Sequence, residues 1–299
     1  MYLGFDIGGT SVKYGIVDEN FNIIEKSSFA TNQHSDIAVL DDICNAVEYM
    51  KGKYSFDYIG IGAPGFVDSK KGYIEGSANT PFKHTAVVDY VEKKTGFKTY
   101  VANDANCAAY GEYLYGQTET ENFVMITLGT GVGGGIILNG KLFTGSTGLA
   151  GEIGHIVIRH EGLSCPCGKR GCYEQYASAT ALIRLTKEKI KKSDGLMSCE
   201  MKNQIDKIDG RTVFDYIRKG ATDAKEVLDK YAKYLVDGIE SICSLLQPDA
   251  IILAGGITND KELLMEYISK YYKGTTTVKV AMLQSDAGLI GAAFIGKSL

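Results

Sequence analysis

The chain has 299 residues, 44% hydrophobic and 23% charged, an ordinary globular composition that allows two domains with separate cores. Its net charge of −4 and isoelectric point of about 5.7 give no overall basic field, which argues against nucleic acid or an anionic membrane as partner. Seven cysteines are too few for a disulfide scaffold, and no stretch approaches the roughly 18 consecutive apolar residues of a membrane-spanning helix. We therefore expect a soluble, cytoplasmic protein.

Three short apolar stretches at the start of the chain predict a meander of strands, at Tyr2 to Asp6, Val12 to Val17 and Phe21 to Phe29. A Gly-Gly-Thr turn separates the first two strands. Most Gly-Gly pairs are only hairpin turns, so this motif alone is weak.

The chemistry of this first turn nevertheless suits a phosphate. Gly8 and Gly9 let backbone N–H groups approach it, and Thr10 adds a hydroxyl donor. Lys13 adds positive charge, and Asp6 is a candidate to hold a hydrated magnesium ion.

The next segment predicts a helix and a buried strand. Apolar residues recur with a period of 3.6 from Ile37 to Met50, and the strand Tyr58 to Ala63 ends in a rigid Gly-Ala-Pro-Gly turn that closes at Gly65. Asn79 lies in a second turn, where its side chain either contacts a ligand hydroxyl or caps the turn.

An acid follows the next predicted strand. A helix is expected at Ala86 to Thr95, a strand at Lys98 to Ala102 and a helix at Cys107 to Tyr115, with Asn103 and Asp104 between the last two. An Asp at such a junction is first of all a candidate helix N-cap. The alternative is a catalytic carboxylate.

A second glycine-rich turn, containing Thr130 and Gly131, follows the predicted strand Phe123 to Leu128 and precedes a hairpin over Ile136 to Phe143. It is not a Walker A loop, because no Gly-Lys-Ser/Thr follows, nor a dinucleotide-binding loop opening a helix. Two such turns, each with a threonine and each opening a meander, suggest an internal duplication that grips one phosphate chain from two sides.

The segment from residue 151 to 174 contains a candidate metal site. Its thiolates lie in C-x-C-G-x-x-G-C, and three sulfurs with one imidazole suit a closed, tetrahedral, structural zinc site. The candidate ligands are His155, Cys165, Cys167 and Cys172, with His160 as the alternative histidine. The other interpretations are a disulfide or three unrelated thiols.

Two acids, Glu152 and Glu174, flank this segment and could accept hydrogen bonds from a polyhydroxyl ligand, although alone either would be a solvated surface charge.

The remainder predicts helices separated by one buried strand. The strand Asp249 to Leu253 leads to Gly255 and Gly256, a pair that could admit a flat nucleoside. The polar stretch from Ser193 to Asp209 predicts a loop or a short element. The other predicted elements are helices at Ala177 to Lys192, Arg211 to Lys219, Ala224 to Leu246, Lys261 to Tyr272 and Ala287 to Ile295, and a strand at Thr276 to Leu283.

Taken together, these motifs resemble the sugar kinases of the ROK family (repressor, open reading frame, kinase), within the actin-like ATPase superfamily, from Asp6 to about Gly291. The resemblance implies an α/β fold of two ribonuclease-H-like domains around a cleft. The expected N-terminal domain is 1–115, completed by 286–299. The larger C-terminal domain is 116–285 and contains the zinc loop 151–174.

The resemblance also implies roles for individual residues. Asp104 matches the catalytic base. The positions that match sugar contacts are Gly65, Asn79, Asn103, Asp104, Glu152, His155 and Glu174. The positions that match ATP, phosphate and magnesium contacts are Asp6, Gly8, Gly9, Thr10, Lys13, Thr130, Gly131, Gly255 and Gly256. The motif around Asn79 departs from the commonest family form.

We expect an ATP- and Mg²⁺-dependent hexose 6-kinase with a structural Zn²⁺, acting on glucose and assembling as a homodimer as relatives often do. N-acetylmannosamine, N-acetylglucosamine, fructose, mannose and allose are alternative acceptors. Family members that act as sugar-responsive repressors carry a DNA-binding region ahead of the first phosphate motif, and the early position of Asp6 argues against that class. A non-catalytic sugar- or ATP-binding scaffold is disfavoured by the presence of both turns and Asp104.

Overall fold

The computed structural model describes residues 1–77, 80–116 and 120–299, so Asn79 lies outside the described residues. The strands within these ranges are β1 (Tyr2–Ile7), β2 (Ser11–Val17), β3 (Ile23–Ala30), β4 (Ile59–Ala63), β5 (Phe66–Asp68), β6 (Tyr73–Gly76), β7 (Lys83–Ala86), β8 (Thr99–Asn103), β9 (Phe123–Leu128), β10 (Val132–Leu138), β11 (Lys141–Leu142), β12 (Ala250–Ala254) and β13 (Thr277–Val280). The α-helices there are α1 (Asp36–Lys51), α2 (Val87–Thr95), α3 (Asp104–Gly116), α4 (Glu174–Ala177), α5 (Ala179–Ile190), α6 (Leu196–Met201), α7 (Thr212–Arg218), α8 (Thr222–Leu246), α9 (Lys261–Tyr271) and α10 (Ala287–Phe294).

The first sheet has the strand order β3-β2-β1-β4-β8. Strands β1 and β2 are antiparallel and pair Asp6 with Lys13, whereas β1, β4 and β8 run parallel with Asp6, Gly62 and Ala102 in register. Because the carboxyl ends of parallel strands share one edge of a sheet, the segments that follow these three strands emerge at the same edge.

The remaining strands in the described ranges form two further sheets. One has the order β11-β10-β9-β12-β13, with β12 and β13 parallel. The other is a small antiparallel sheet, β5-β6-β7, that the sequence analysis did not predict. Its strands have only three or four residues, too few to show a period-2 pattern.

The chain divides into two compact units. Unit 1 contains Met1–Val124, Gly135–Gly151 and Met282–Leu299, and unit 2 contains Met125–Gly134 and Glu152–Ala281. The core of unit 1 joins the buried side chains of β1, including Leu3 and Phe5, to the inner face of α1. Helix α1 begins where the Ser35 side chain accepts a hydrogen bond from Ala38 N, at 3.1 Å, which satisfies one of the free N–H groups of its first turn.

The C-terminal segment packs within unit 1. Helix α10 is buried along its whole length and packs on α3 and β1. The fully buried Glu112 carboxylate, in α3, accepts hydrogen bonds from the backbone N–H groups of Met282 (3.0 Å) and Leu283 (2.6 Å). These bonds fix the start of the segment that leads into α10.

Unit 2 is built around the 25-residue helix α8, which ends at Leu246 and is followed by Gln247 in a left-handed conformation just before Pro248. The buried tyrosines Tyr173 and Tyr231 tie it to the segment around α4. Their hydroxyl groups donate to the carbonyls of Leu235 (2.8 Å) and Ala177 (2.6 Å), respectively. No helix in the described ranges has the length and apolar character needed to cross a membrane.

Candidate functional site

The turn between β1 and β2 is supported through its carbonyl groups. Thr31 donates its hydroxyl to the Gly8 carbonyl (2.7 Å) and its N–H to the Thr10 carbonyl (3.1 Å), and the Gln33 amide donates to the Gly9 carbonyl. The N–H groups of Gly9 and Thr10 donate to no residue in the described part of the chain. A supported turn with free N–H groups fits phosphate oxygens.

Asp6 lies at the end of β1, opposite Lys13. Burial raises the pKa of Asp6, the charge of Lys13 lowers it, and the negative charge of Asp286 raises it. The Lys13 ammonium donates to the Ser285 carbonyl at 3.1 Å, so in this structure it holds the segment before α10. A Cβ on Gly288 would lie 2.9 Å from the Asp6 carboxylate, so only glycine lets α10 approach this acid so closely.

At the start of α3, the neighbouring residues Asn103 and Asp104 have different roles. Asn103 fills the cap: its side-chain oxygen accepts from the N–H groups of Ala105 (2.9 Å) and Asn106 (3.2 Å), and its amide donates to the Gly65 carbonyl (3.1 Å). Asp104 is already the first helical residue, and its carboxylate accepts from Ala105 N at 2.8 Å. The helix cap therefore does not depend on Asp104 alone. The Asp104 carboxylate lies in the first turn of α3, where the helix N-terminus favours negative charge.

The pKa of Cys107, one turn further along α3, responds to the charges at the carboxyl edge of the first sheet. Burial is the main cause that raises the pKa of its thiol, and the negative charges of Asp6 and Asp104 raise it further. Both carboxylates are thus within electrostatic reach of one buried atom. The parallel register of β1, β4 and β8 accounts for this, since Asp6, Gly65 and Asp104 all lie at the carboxyl edge of these strands.

The second glycine-rich turn, Gly129 to Gly133 in unit 2, is supported in a similar way. Ala179 N donates to the Gly129 carbonyl (2.9 Å), and the Thr180 hydroxyl donates to the Thr130 carbonyl (2.7 Å). The N–H groups of Thr130 and Gly131 donate to no described residue. This turn also fits phosphate oxygens.

One acid touches this turn directly. The Glu174 carboxylate accepts a hydrogen bond from Val132 N at 3.1 Å. The same oxygen would lie 2.3 Å from a Cβ on Gly131, so a side chain at that position would displace the carboxylate. Glu174 thereby joins the cysteine-rich segment to the second turn.

The predicted metal ligands come together in unit 2. One donor atom from each of His155, Cys165, Cys167 and Cys172 lies within 4.8 Å of the others. Cys165 Sγ lies 3.7 Å from His155 Nδ1, and the sulfurs of Cys167 and Cys172 are 3.5 Å apart. Tetrahedral zinc, with bonds near 2.0 to 2.3 Å, separates its ligands by about 3.5 to 3.8 Å, so the donor set fits this ion.

The alternative histidine does not take part, because the His160 side chain is 95% exposed. The cluster is formed instead by the short turn at residues 153–155 and the tight loop through Gly168 and Gly171. Each of the three thiols is free of a disulfide in this structure.

His155 presents its other ring nitrogen away from the cysteines. Its Nε2 lies 3.9 Å from the Glu152 carboxylate. Burial raises the pKa of Glu152, whereas His155 lowers it and the charge of Glu174 raises it. His155, Glu152 and Glu174 therefore form one cluster of polar groups beside the cysteine set, suited to contact several hydroxyl groups of a ligand.

Gly255 and Gly256 directly follow β12, as predicted, and lead into a short 3₁₀ turn that ends at Asp260. They belong to unit 2, together with the second turn and the metal ligands. Unit 1 contains the first turn, Asp6, Lys13, Gly65, Asn103 and Asp104.

The supporting residues Thr31, Gln33 and Thr180 were not predicted. Each bonds to a glycine-rich turn 23 to 50 residues away in sequence, and a threonine or glutamine carries no local signal of that kind. The antiparallel pairing of β2 with β3 explains the position of Thr31, because pairing Ser11 with Ala30 places residue 31 beside Thr10.

Comparisons with known proteins agree on one family. The sequence model described as "ROK family" matches residues 2–298. A glucokinase of Streptomyces coelicolor is 35% identical over 309 aligned residues, which cover 99% of this chain and 97% of the relative. An N-acetylmannosamine kinase of Haemophilus influenzae is 30% identical over 306 residues, covering 98% and 94%.

Among solved structures, the ROK family glucokinase of Streptomyces griseus, in complex with glucose and AMPPNP, is similar to this chain. It superimposes with a TM-score of 0.85 at 35% identity, with 98% of each chain covered.

Proposed function

We propose that this chain, which belongs to the ROK family, is an ATP-dependent sugar kinase that transfers the γ-phosphate to the 6-hydroxyl of a hexose. Glucose is the favoured acceptor, because the glucokinase relative is 35% identical and the N-acetylmannosamine kinase relative 30%. N-acetylmannosamine, N-acetylglucosamine and fructose are the alternative acceptors. In this proposal the two compact units correspond to two ribonuclease-H-like domains.

The observation that carries the proposal is the presence of two supported turns with free N–H groups, together with an acid at a helix start. Phosphoryl transfer needs little covalent chemistry from the protein. It needs an aligned hydroxyl, a group that accepts its proton, and donors for the charge on the transferred phosphoryl group.

Asp104 is the residue we assign as general base, accepting the proton of the sugar hydroxyl as it attacks. The N–H groups of Gly9, Thr10, Thr130 and Gly131 would donate to phosphate oxygens. Asp6 would hold Mg²⁺, which supplies positive charge to the phosphates when bound. Glu152, Glu174 and His155 Nε2 would bind sugar hydroxyl groups.

The cysteine and histidine ligands would hold a structural zinc. Four protein ligands would leave no open coordination position for water, so the ion would shape the loop and would not activate a nucleophile. His155 would bind it through Nδ1 while Nε2 stays directed to Glu152, which makes the metal an organiser of the sugar-binding cluster.

The test is ADP release with Mg·ATP against a panel of hexoses, N-acetylhexosamines and fructose. We expect one strongly preferred sugar. Asp104→Asn should lower turnover by about 10²- to 10⁴-fold, the usual effect of losing a general base, while sugar still binds.

Asp206→Asn is the matched control, because Asp206 is exposed and lies outside the proposed site. It should keep wild-type turnover. Near-normal turnover in Asp104→Asn would reject that residue as the base, and failure of every sugar in the folded wild type would reject the kinase assignment.

A further inference from the structure

Glu174 occupies an unusual place for an acid. It lies two residues after the metal ligand Cys172 and is the first residue of α4, yet its carboxylate hydrogen-bonds to the backbone of the second glycine-rich turn. Other bonds to this turn come from neutral groups, namely Ala179 N, the Thr180 hydroxyl and the Thr127 hydroxyl. Glu174 is thus the charged side chain that hydrogen-bonds to this turn within the described residues.

A carboxylate at this position opposes the binding of phosphate. Its oxygen sits against Gly131, whose N–H is one of the two free donors of the turn, and it takes the N–H of Val132. A negative charge beside a phosphate-binding turn repels the ligand at short range. The chain therefore pairs a phosphate-binding turn with a group that weakens phosphate binding.

The same carboxylate belongs to the polar cluster with Glu152 and His155, within electrostatic reach of Glu152. Sugar hydroxyl groups that donate hydrogen bonds to the Glu174 carboxylate would partly compensate its negative charge, so the charge would repel phosphate at the turn less strongly. They would also compete for the oxygen that now accepts from Val132 N. Either effect makes the turn a better phosphate site when sugar is bound.

We propose that Glu174 is a positioning residue that couples the two substrates: it restrains the second turn without sugar and releases it when sugar binds, so sugar tightens nucleotide binding. This inference rests on the proposed kinase function and concerns the effect of bound sugar on the binding of ATP. Coupling free energies between two ligands typically correspond to factors of about 5 to 150. Such coupling would limit binding of ATP, and its hydrolysis by water, when no acceptor is present.

The experiment is calorimetric titration of Mg·AMPPNP, a non-hydrolysable ATP analogue, with and without a saturating amount of the sugar preferred in the kinase panel. In the wild type we expect sugar to lower the Kd of AMPPNP by about fivefold or more. Glu174→Gln keeps the size of the side chain and an oxygen that accepts from Val132 N, but it removes the charge. AMPPNP should then bind at least as tightly as wild type without sugar, and sugar should change its Kd by less than about twofold.

Glu174→Ala separates this role from a merely structural one. It removes both the charge and the bond to Val132 N, so AMPPNP should bind at least as tightly as in the wild type without sugar, again without response to sugar, whereas loss of a merely structural bond would weaken binding. Glu240→Gln, on the exposed face of α8, removes the same charge from the same unit and should keep the wild-type response.

The inference is overturned if both Glu174 variants weaken AMPPNP binding by the same factor with and without sugar, or if the wild type shows no response to sugar. A wild type that phosphorylates no sugar would instead reject the proposed function. The two failures are therefore distinguishable, because the first is measured by binding in an active kinase.

Discussion

Replacing Cys165 with alanine removes one of four candidate zinc ligands. It should weaken the binding of sugar much more than the binding of ATP. Cys165 is buried and lies 3.7 Å from His155 Nδ1, so the metal would fix the histidine ring through this pair. Without the metal, His155 Nε2 loses its fixed position opposite Glu152. We expect the damage to fall first on the binding of sugar.

The size of the effect follows from the bonds involved. A hydrogen bond to a charged group contributes about 1.5 to 3 kcal/mol, so loss of one sugar contact would raise KM for sugar roughly 10- to 150-fold. The bonds from Ala179 and Thr180 to the second turn involve no metal ligand. KM for ATP should therefore rise less than about fivefold, which corresponds to about 1 kcal/mol.

The assay combines metal analysis with kinetics. Elemental analysis by mass spectrometry should find about one zinc per wild-type chain and almost none in Cys165→Ala, and steady-state kinetics should then give the two KM values. Cys199→Ala, at an exposed cysteine outside the cluster, is the matched control and should keep both zinc and kinetics. A wild-type protein purified without zinc would refute the metal assignment, and equal rises in the two KM values would indicate general unfolding.

Two further predictions concern single hydrogen-bond networks. Thr180→Val removes the donor to the Thr130 carbonyl, a bond of about 0.5 to 1.5 kcal/mol, and should raise KM for ATP about 2- to 13-fold while KM for sugar stays constant in steady-state kinetics. In the second network, burial raises the pKa of Asp223, but hydrogen bonds from the Ser198 hydroxyl and from Ser198 and Met197 N lower it below its usual range. The stability it contributes is present above the unfolded pKa near 3.9 and is lost as pH falls through the folded pKa. Asp223→Asn should therefore cost about 1 to 3 kcal/mol at pH 7 in denaturant unfolding, with the deficit shrinking below about pH 4, and a pH-independent deficit would contradict the reasoning.

Elements with a strong local pattern were predictable. The strand Phe123–Leu128 is confirmed with its expected bounds, because a continuous apolar run ends at a glycine-rich turn. The long helix predicted from Ala224 begins two residues earlier and ends as expected at Leu246, before Pro248. The cysteine cluster was also readable, since its ligands lie within 18 residues and the spacing of thiolates and glycines is itself the signal.

Elements without a periodic pattern were predicted without exact type or bounds. Residues 193–209 were expected to form a loop or a short element, and they contain the short helix Leu196–Met201, held at its start by the buried carboxylate of Asp223, a contact that the local sequence does not indicate. Helix α3 begins at Asp104, three residues before the predicted start at Cys107. It is buried on several faces, so no amphipathic period marks its first turn, and the cap at Asn103 was not distinguished from Asp104.

The two glycine-rich turns are supported in the same way, but a carboxylate hydrogen-bonds to the second turn, and this difference bears on how the site would work. In each turn a threonine hydroxyl from a later segment holds a carbonyl, Thr31 on Gly8 and Thr180 on Thr130, which leaves N–H groups for phosphate. No lysine or arginine hydrogen-bonds to either turn in the described ranges, because Lys13 donates to the Ser285 carbonyl. In the proposed function, charge compensation for bound phosphates would therefore come from backbone dipoles and from a cation held by Asp6. Since the Glu174 carboxylate hydrogen-bonds to the second turn, the proposed coupling would make the affinity of this turn for phosphate depend on what else that acid binds.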